Sequence, residues 1–155
     1  MIMAKQSAGL LLYRIRTEEL QVLLVHPGGP FFRKRDEGWW TIPKGEPAVD
    51  EDLLCAAVRE FGEETGYYPE GKFIALPAIT QKGGKKVSCW AVSGDLDPEK
   101  ITSNEFQIEW PPKSGSLKYF PEIDRAAWFN LADAQKKINE RQAPLLDELV
   151  KMTAQ

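Results

Sequence analysis

The stretch that most limits the fold runs from about Asp52 to Thr65. At 100° per residue Leu54, Ala57, Val58 and Phe61 fall on one stripe, which predicts an amphipathic helix with an apolar face to dock. Asp50 is placed as its N-cap and Gly66 is placed to end it. Glu60, Glu63 and Glu64 occupy a separate arc of about 100°. Their i, i+3, i+4 spacing brings three carboxylates close together. From Glu46 to Glu64 there are seven acidic residues and one basic residue, Arg59.

The three glutamates alone leave two readings open. An exposed acidic face costs only about 0.2–0.5 kcal/mol per like-charge pair and can exist unaided. Partly desolvated carboxylates ~5 Å apart repel by roughly 3 kcal/mol at an effective dielectric near ~20, and then need a cation. Oxygen-only ligands favour a hard ion, Mg²⁺ or Mn²⁺, over zinc.

The rest of the chain frames that helix. Apolar runs at 7–15 and 21–25 read as strands joined by a polar turn, and residues 27–38 read as a loop. Segments 72–81 and 85–93 flank Gly83-Gly84 as a hairpin, with Pro77 marking an edge or bend. Residues 105–110 and 123–129 read as further strands, and WPPKSGS between them as a loop. A helix is expected after Asn130, restarted at Pro144 and ending near Met152. Strands around helices predict a layered α/β domain, and 155 residues suit one domain, 1–155.

Several function classes are disfavoured. The single histidine, His26, removes sites built from several histidines, and neither G-x-S-x-G nor GxxxxGK[ST] occurs. A net charge of −3 argues against a general nucleic-acid binder, so no nucleic-acid partner is expected. Two cysteines 34 residues apart give no disulfide framework, and no stretch approaches a membrane span. A soluble cytoplasmic protein with no membrane partner is the expectation. Cys55 and Cys89 are expected to pack as small apolar groups.

Read from Gly45, the sequence GEPAVDEDLLCAAVREFGEETGY resembles the Nudix box, G-x5-E-x7-R-E-U-x-E-E-x-G-U, with U a bulky apolar residue. The match runs through Gly45, Glu51, Arg59, Glu60, Phe61, Glu63, Glu64, Gly66 and Tyr67. Seven fixed residue types at a background near ~7% make a chance match on the order of 10⁻⁸ per start. Aromatic Phe61 and Tyr67, and Asp50 where glycine is frequent, are mild departures. The likeness extends loosely through the Trp40–Gly45 lead-in, Trp-x-x-Pro-Lys-Gly.

The resemblance implies an α/β/α sandwich around a mixed sheet and divalent-metal hydrolysis of a nucleoside diphosphate linked to another group. It implies Glu60 and Glu64 as principal metal ligands, Glu63 as a third, and the Gly45 carbonyl as a further donor. Arg59 resembles the arginine that orients a box glutamate, and Glu51 the earlier box glutamate that braces the loop or joins the metal. Glu63 or Glu60 is the candidate general base. Outside the box, Lys44 is the candidate phosphate contact, and Trp39 and Trp40 are candidates for base stacking or core packing. Arg33, Lys34, Arg35 and Lys82, Lys85, Lys86 form two basic clusters, read as solubilising charge more readily than as a polyphosphate clamp. His26 reads as structural or surface-lying rather than as the base.

The lead-in is similar to that of dinucleoside polyphosphate hydrolases, and the whole chain to the "predicted NTP pyrophosphohydrolase" group. The tyrosine that marks many dinucleoside polyphosphate hydrolases is missing around Gln81–Lys86. The expected substrate is an NTP or a dinucleoside polyphosphate such as diadenosine tetraphosphate. A catalytically weak nucleotide sensor on the same fold is the alternative. The isomerase branch, with its histidine-rich metal site, fits one histidine poorly. Homodimers are common in the family, but no residue pattern here specifies one.

Overall fold

The fold is described from a computed structural model that covers residues 5–81 and 83–154. Among the described residues eight strands are present: β1 (Gln6–Arg16), β2 (Glu19–Pro27), β3 (Lys44–Gly45), β4 (Ile74–Gln81), β5 (Lys85–Ser93), β6 (Glu105–Glu109), β7 (Leu117–Pro121) and β8 (Ile123–Asn130). Three helices accompany them: α1 (Leu53–Thr65), α2 (Leu131–Lys137) and α3 (Ala143–Thr153). The main sheet runs β4-β5-β1-β2-β8, with β3 paired to β1. β1 and β5 are parallel and the other pairs antiparallel, so the sheet is mixed.

Helices cover both faces, which explains why β1 and β2 read as unbroken apolar runs. Successive residues alternate between two cores. Leu10, Leu12 and Leu23 face Ala56, Ala57 and Phe61 of α1. Leu11, Val22 and Leu24 face Ala134 of α2 and Leu145, Leu146 and Leu149 of α3. This is the α/β/α arrangement expected.

Local chemistry sets the element ends. The cap of α1 is Asp52, whose carboxylate accepts from the Cys55 N–H at 3.2 Å, rather than Asp50. Asp50 instead takes a left-handed backbone, φ 61°. Gly66, φ 80°, closes the helix with its N–H on the Gly62 carbonyl at 2.7 Å. Pro77 lies on edge strand β4, where the register shifts between Leu76 and Ile79. Lys82 lies outside the described residues. The segment 105–121 is a two-stranded hairpin, β6–β7, apart from the main sheet; its second strand was not expected. Cys55 is exposed, contrary to the packing expected of it, whereas Cys89 is buried. Among the described residues no helix is long and apolar enough to cross a membrane.

Candidate active site

The site begins where β3 meets β1. Lys44 and Gly45 pair with Gly9 and Ala8, beside the start of β1. That approach needs glycine on both sides. A Cβ on Gly9 would sit 2.7 Å from the Pro43 carbonyl oxygen, and a Cβ on Gly45 would overlap the Glu60 carboxyl. Gly45 and Glu60 are therefore in direct apposition, 15 positions apart in sequence.

Arg59 organises the acids through five hydrogen bonds. Its Nε and Nη2 donate to the two Glu51 oxygens at 2.9 Å, Nη1 to Glu60 and Glu63 at 3.1 Å, and Nη2 also to the Glu46 carbonyl at 3.2 Å. Glu51 additionally accepts from the Ala48 N–H at 2.8 Å. The Arg59 hydrogen bonds and that N–H hold the Glu51 carboxyl down at about 2. Glu51 first, then Glu63 and Glu60, raise Arg59 further above its already high ordinary value, against the effect of burial.

Glu64 is different. It is only 8% exposed, and among the described residues its Oε2 has no hydrogen-bond partner. Burial, with Glu60 and Glu122 adding negative charge nearby, pushes it up to about 9; Lys44 opposes this. Burial likewise raises Glu60, against the pull of Arg59. Lys44 is partly buried; burial and Lys85 lower it while Glu64, Glu46 and Glu60 act the other way. Lys85 also reaches Glu46 at 3.7 Å, on the rim of the same site.

A buried acid with an orphaned oxygen, flanked by other carboxylates and oxygen donors, fits a hard divalent cation. Among the described residues no three or more acidic, histidine or cysteine side chains stand ready-arranged around one point. Glu60 and Glu63 are turned toward Arg59, so a cation must compete with that guanidinium for them.

Glu122 was not anticipated. It lies between β7 and β8, 58 residues beyond Glu64. Backbone hydrogen bonds fasten it in place: Asn104 N–H to the Glu63 carbonyl, Glu122 N–H to the Asn104 carbonyl, and Gly28 N–H to the Glu122 carbonyl, each 2.8 Å. No local motif marks it; only tertiary closure brings it to the helix.

The tryptophans part company. Trp40 is 4% exposed, donates to Asp36 at 2.8 Å, and packs edge-on to His26 and Phe129. Of the two roles open to it, base stacking and core packing, Trp40 takes the core one. Trp39 is 40% exposed, beside Phe32 and under Arg35. His26 is fully buried, its Nδ1 2.7 Å from Asp124 and its Nε2 2.6 Å from the Arg35 carbonyl. It holds loop 28–38 against β8.

A family model described as NUDIX domain matches residues 3–149. An mRNA-decapping protein, g5R, of African swine fever virus (isolate Warthog/Namibia/Wart80/1980) is 32% identical over 117 residues, 72% of this chain and 44% of that protein. The chain thus spans less than half the length of the curated relatives it matches. Among solved structures, a Caenorhabditis elegans Ap4A hydrolase binary complex has a TM-score of 0.67 at 24% identity, covering 97% of this chain and 98% of that one. The NUDIX domain of Shewanella oneidensis NrtR, complexed with ADP ribose, has a TM-score of 0.66 at 18% identity, covering 99% and 90%. At these identities the two structures speak to the fold.

Proposed function

The chain belongs to the Nudix family, and on that premise we propose that it hydrolyses a phosphoanhydride bond in a nucleoside diphosphate-linked substrate, an NTP or a dinucleoside polyphosphate, with Mg²⁺ or Mn²⁺. The observation that carries this is Glu64: a buried carboxyl whose Oε2 has no hydrogen-bond partner among the described residues, set beside Glu60 and Glu122. Glu60 and Glu64 would hold the ion, with Glu63, Glu122 and the Gly45 carbonyl completing the donor set. When bound, the ion neutralises the diphosphate and lowers the pKa of a coordinated water.

The remaining work falls to the protein. Lys44 meets phosphate charge from the β3 side. Arg59 and Glu51 set the glutamate rotamers before substrate arrives. Glu63 or Glu60 accepts the proton of the attacking water. Trp39 offers an exposed aromatic surface to a base.

Glu64→Gln is expected to lower Mg²⁺-dependent turnover at least about 100-fold with an unchanged circular dichroism spectrum. A screen of nucleoside diphosphate derivatives with product identification reads the substrate and the bond cleaved. Saturable nucleotide binding without turnover in Mg²⁺ or Mn²⁺ would replace this reading with the sensor alternative. Equal rates in Glu64→Gln and wild type would remove the metal assignment.

A further inference from the structure

The loop fastened to Glu122 at Gly28 carries an aromatic and cationic feature that hydrolysis itself does not use. Gly28 hydrogen-bonds the Glu122 carbonyl, and three residues later the chain reaches Phe31. At no more than ~3.6 Å per residue, Phe31 Cα lies within about 11 Å of Gly28 Cα. Phe31 is 55% exposed and stands edge-on to Trp110, 5.3 Å away, just past the end of β6. A Cβ on Gly29 would be 2.8 Å from the Phe106 ring, so the loop and the β6–β7 hairpin are in contact.

Pro30, Phe31, Arg33, Lys34 and Arg35 line a hollow of about 370 Å³, within the range of small-ligand sites. Its backbone is braced, since the Arg35 carbonyl accepts from buried His26. Among the described residues neither Arg33 nor Lys34 has an ion-pair partner, in a chain of net charge −3. Two larger hollows, about 720 and 570 Å³, lie along β8, but their cations are already engaged: Arg14 with Asp95, Lys137 with Asp36. Of these three hollows among the described residues, the Phe31 hollow is the one that sets cations without an ion pair beside an exposed aromatic ring.

Loop 28–39 thus presents two separate aromatic surfaces. Phe31 lies against Trp110, and Phe32 lies against Trp39, with Arg33, Lys34 and Arg35 between Phe32 and Trp39 in sequence. One base needs one such surface. We propose that the Phe31 hollow receives the second nucleoside of a substrate in which two nucleosides are joined by a polyphosphate, its base on Phe31 and its phosphates on Arg33 and Lys34. The assignment rests on the hydrolase reading above and narrows its substrate class.

The test compares Phe31→Ala with wild type on diadenosine tetraphosphate, the cap dinucleotide GpppA, and ATP. Phe31 is exposed, so its truncation leaves the core intact. The ratio of kcat/KM for the better two-nucleoside substrate over that for ATP is expected to fall about tenfold, the effect of one stacked base. The two-nucleoside substrate that loses more identifies the source. The double variant Arg33→Ala/Lys34→Ala is expected to lower the same ratio and to make it less salt-sensitive. An unchanged ratio in both variants overturns the hollow and leaves the Glu64-dependent hydrolysis standing. If wild type cleaves none of the three, the hydrolase reading falls. Diadenosine tetraphosphate binding in EDTA, followed by tryptophan fluorescence, then decides the hollow: about tenfold weakening in Phe31→Ala supports it, and equal affinity overturns it.

Discussion

Arg59 grips Glu51 with two parallel hydrogen bonds of 2.9 Å, a fork meeting a carboxylate, while its remaining nitrogen reaches Glu60 and Glu63 at 3.1 Å. The arginine is a positioning residue, acting through the acids it aligns. Lysine cannot reproduce the fork, because an ammonium is a point charge. Arg59→Lys is therefore expected to lower kcat by about 10- to 100-fold. Thermal unfolding and the apparent metal constant should be measured together. A full kcat with an intact fold would show that the fork is dispensable.

Glu51 gives a prediction at acid pH. Its carboxyl sits at about 2 in the folded chain, below an ordinary value of 4.5. The folded state thus releases that proton more readily than the unfolded state does. The resulting stability is fully present above about 4.5 and is lost as pH falls through about 2. Glu51→Gln should remove this contribution and flatten the acid limb of the stability curve. Fluorescence-detected acid unfolding of both proteins checks it, and superimposable acid limbs would count against it.

Glu64 has the opposite sign. Burial holds it up to about 9 in the metal-free fold, so the folded state keeps a proton that the unfolded chain loses above about 4.5. Its contribution is complete below about 4.5 and fades as pH rises toward about 9. Glu64→Gln should erase that slope. A divalent cation must displace the proton, so the rise in Tm produced by Mg²⁺ or Mn²⁺ should grow from pH 6 to pH 9 in wild type. It should be absent in Glu64→Gln. A pH-independent rise would contradict the assignment.

Much of this site is legible along one segment. The spacing of Ala57 and Phe61 sets the buried face of α1, and the same spacing sets Glu60, Glu63 and Glu64 together. Periodicity does not tell how deep each acid lies, and Glu64 is buried while Glu63 is not. The choice between Trp39 and Trp40 is equally hidden: adjacent residues point opposite ways, and the bonding of Trp40 to Asp36 is decided by the loop's path. Glu122 and strand β7 depend on pairings made at long range, where Leu117–Pro121 lies against Glu105–Glu109. The two-residue strand β3 is too short for any alternation to signal it. Asp50 and Asp52 are both competent caps by type, and only backbone direction separates them.

Gly45 faces the Glu60 carboxyl with no room for a methyl group. Gly45→Ala must move either β3 or that carboxyl. Turnover should fall by at least about tenfold while Tm changes little, since the sub-ångström placement of ligands matters more to chemistry than to folding. Steady-state kinetics beside differential scanning fluorimetry tests this. Unaltered turnover would mean that Glu60 is free to relocate.

His26 is fully enclosed and spans Asp124 and the Arg35 carbonyl. His26→Ala leaves a cavity and strands both acceptors, at a cost of about 3 kcal/mol. Urea unfolding measures that cost. Hydrogen exchange should quicken in residues 28–38 before it quickens in α1. Uniform loss of protection would show that the histidine stabilises the whole domain rather than this loop.

The backbone links from Glu63 through Asn104 and Glu122 to Gly28 bear on the order in which the acids come together. During synthesis the glutamate-bearing helix emerges long before the carboxylate that completes its neighbourhood. The carboxyl neighbourhood of Glu64 therefore closes late, only once the chain has been made past Glu122.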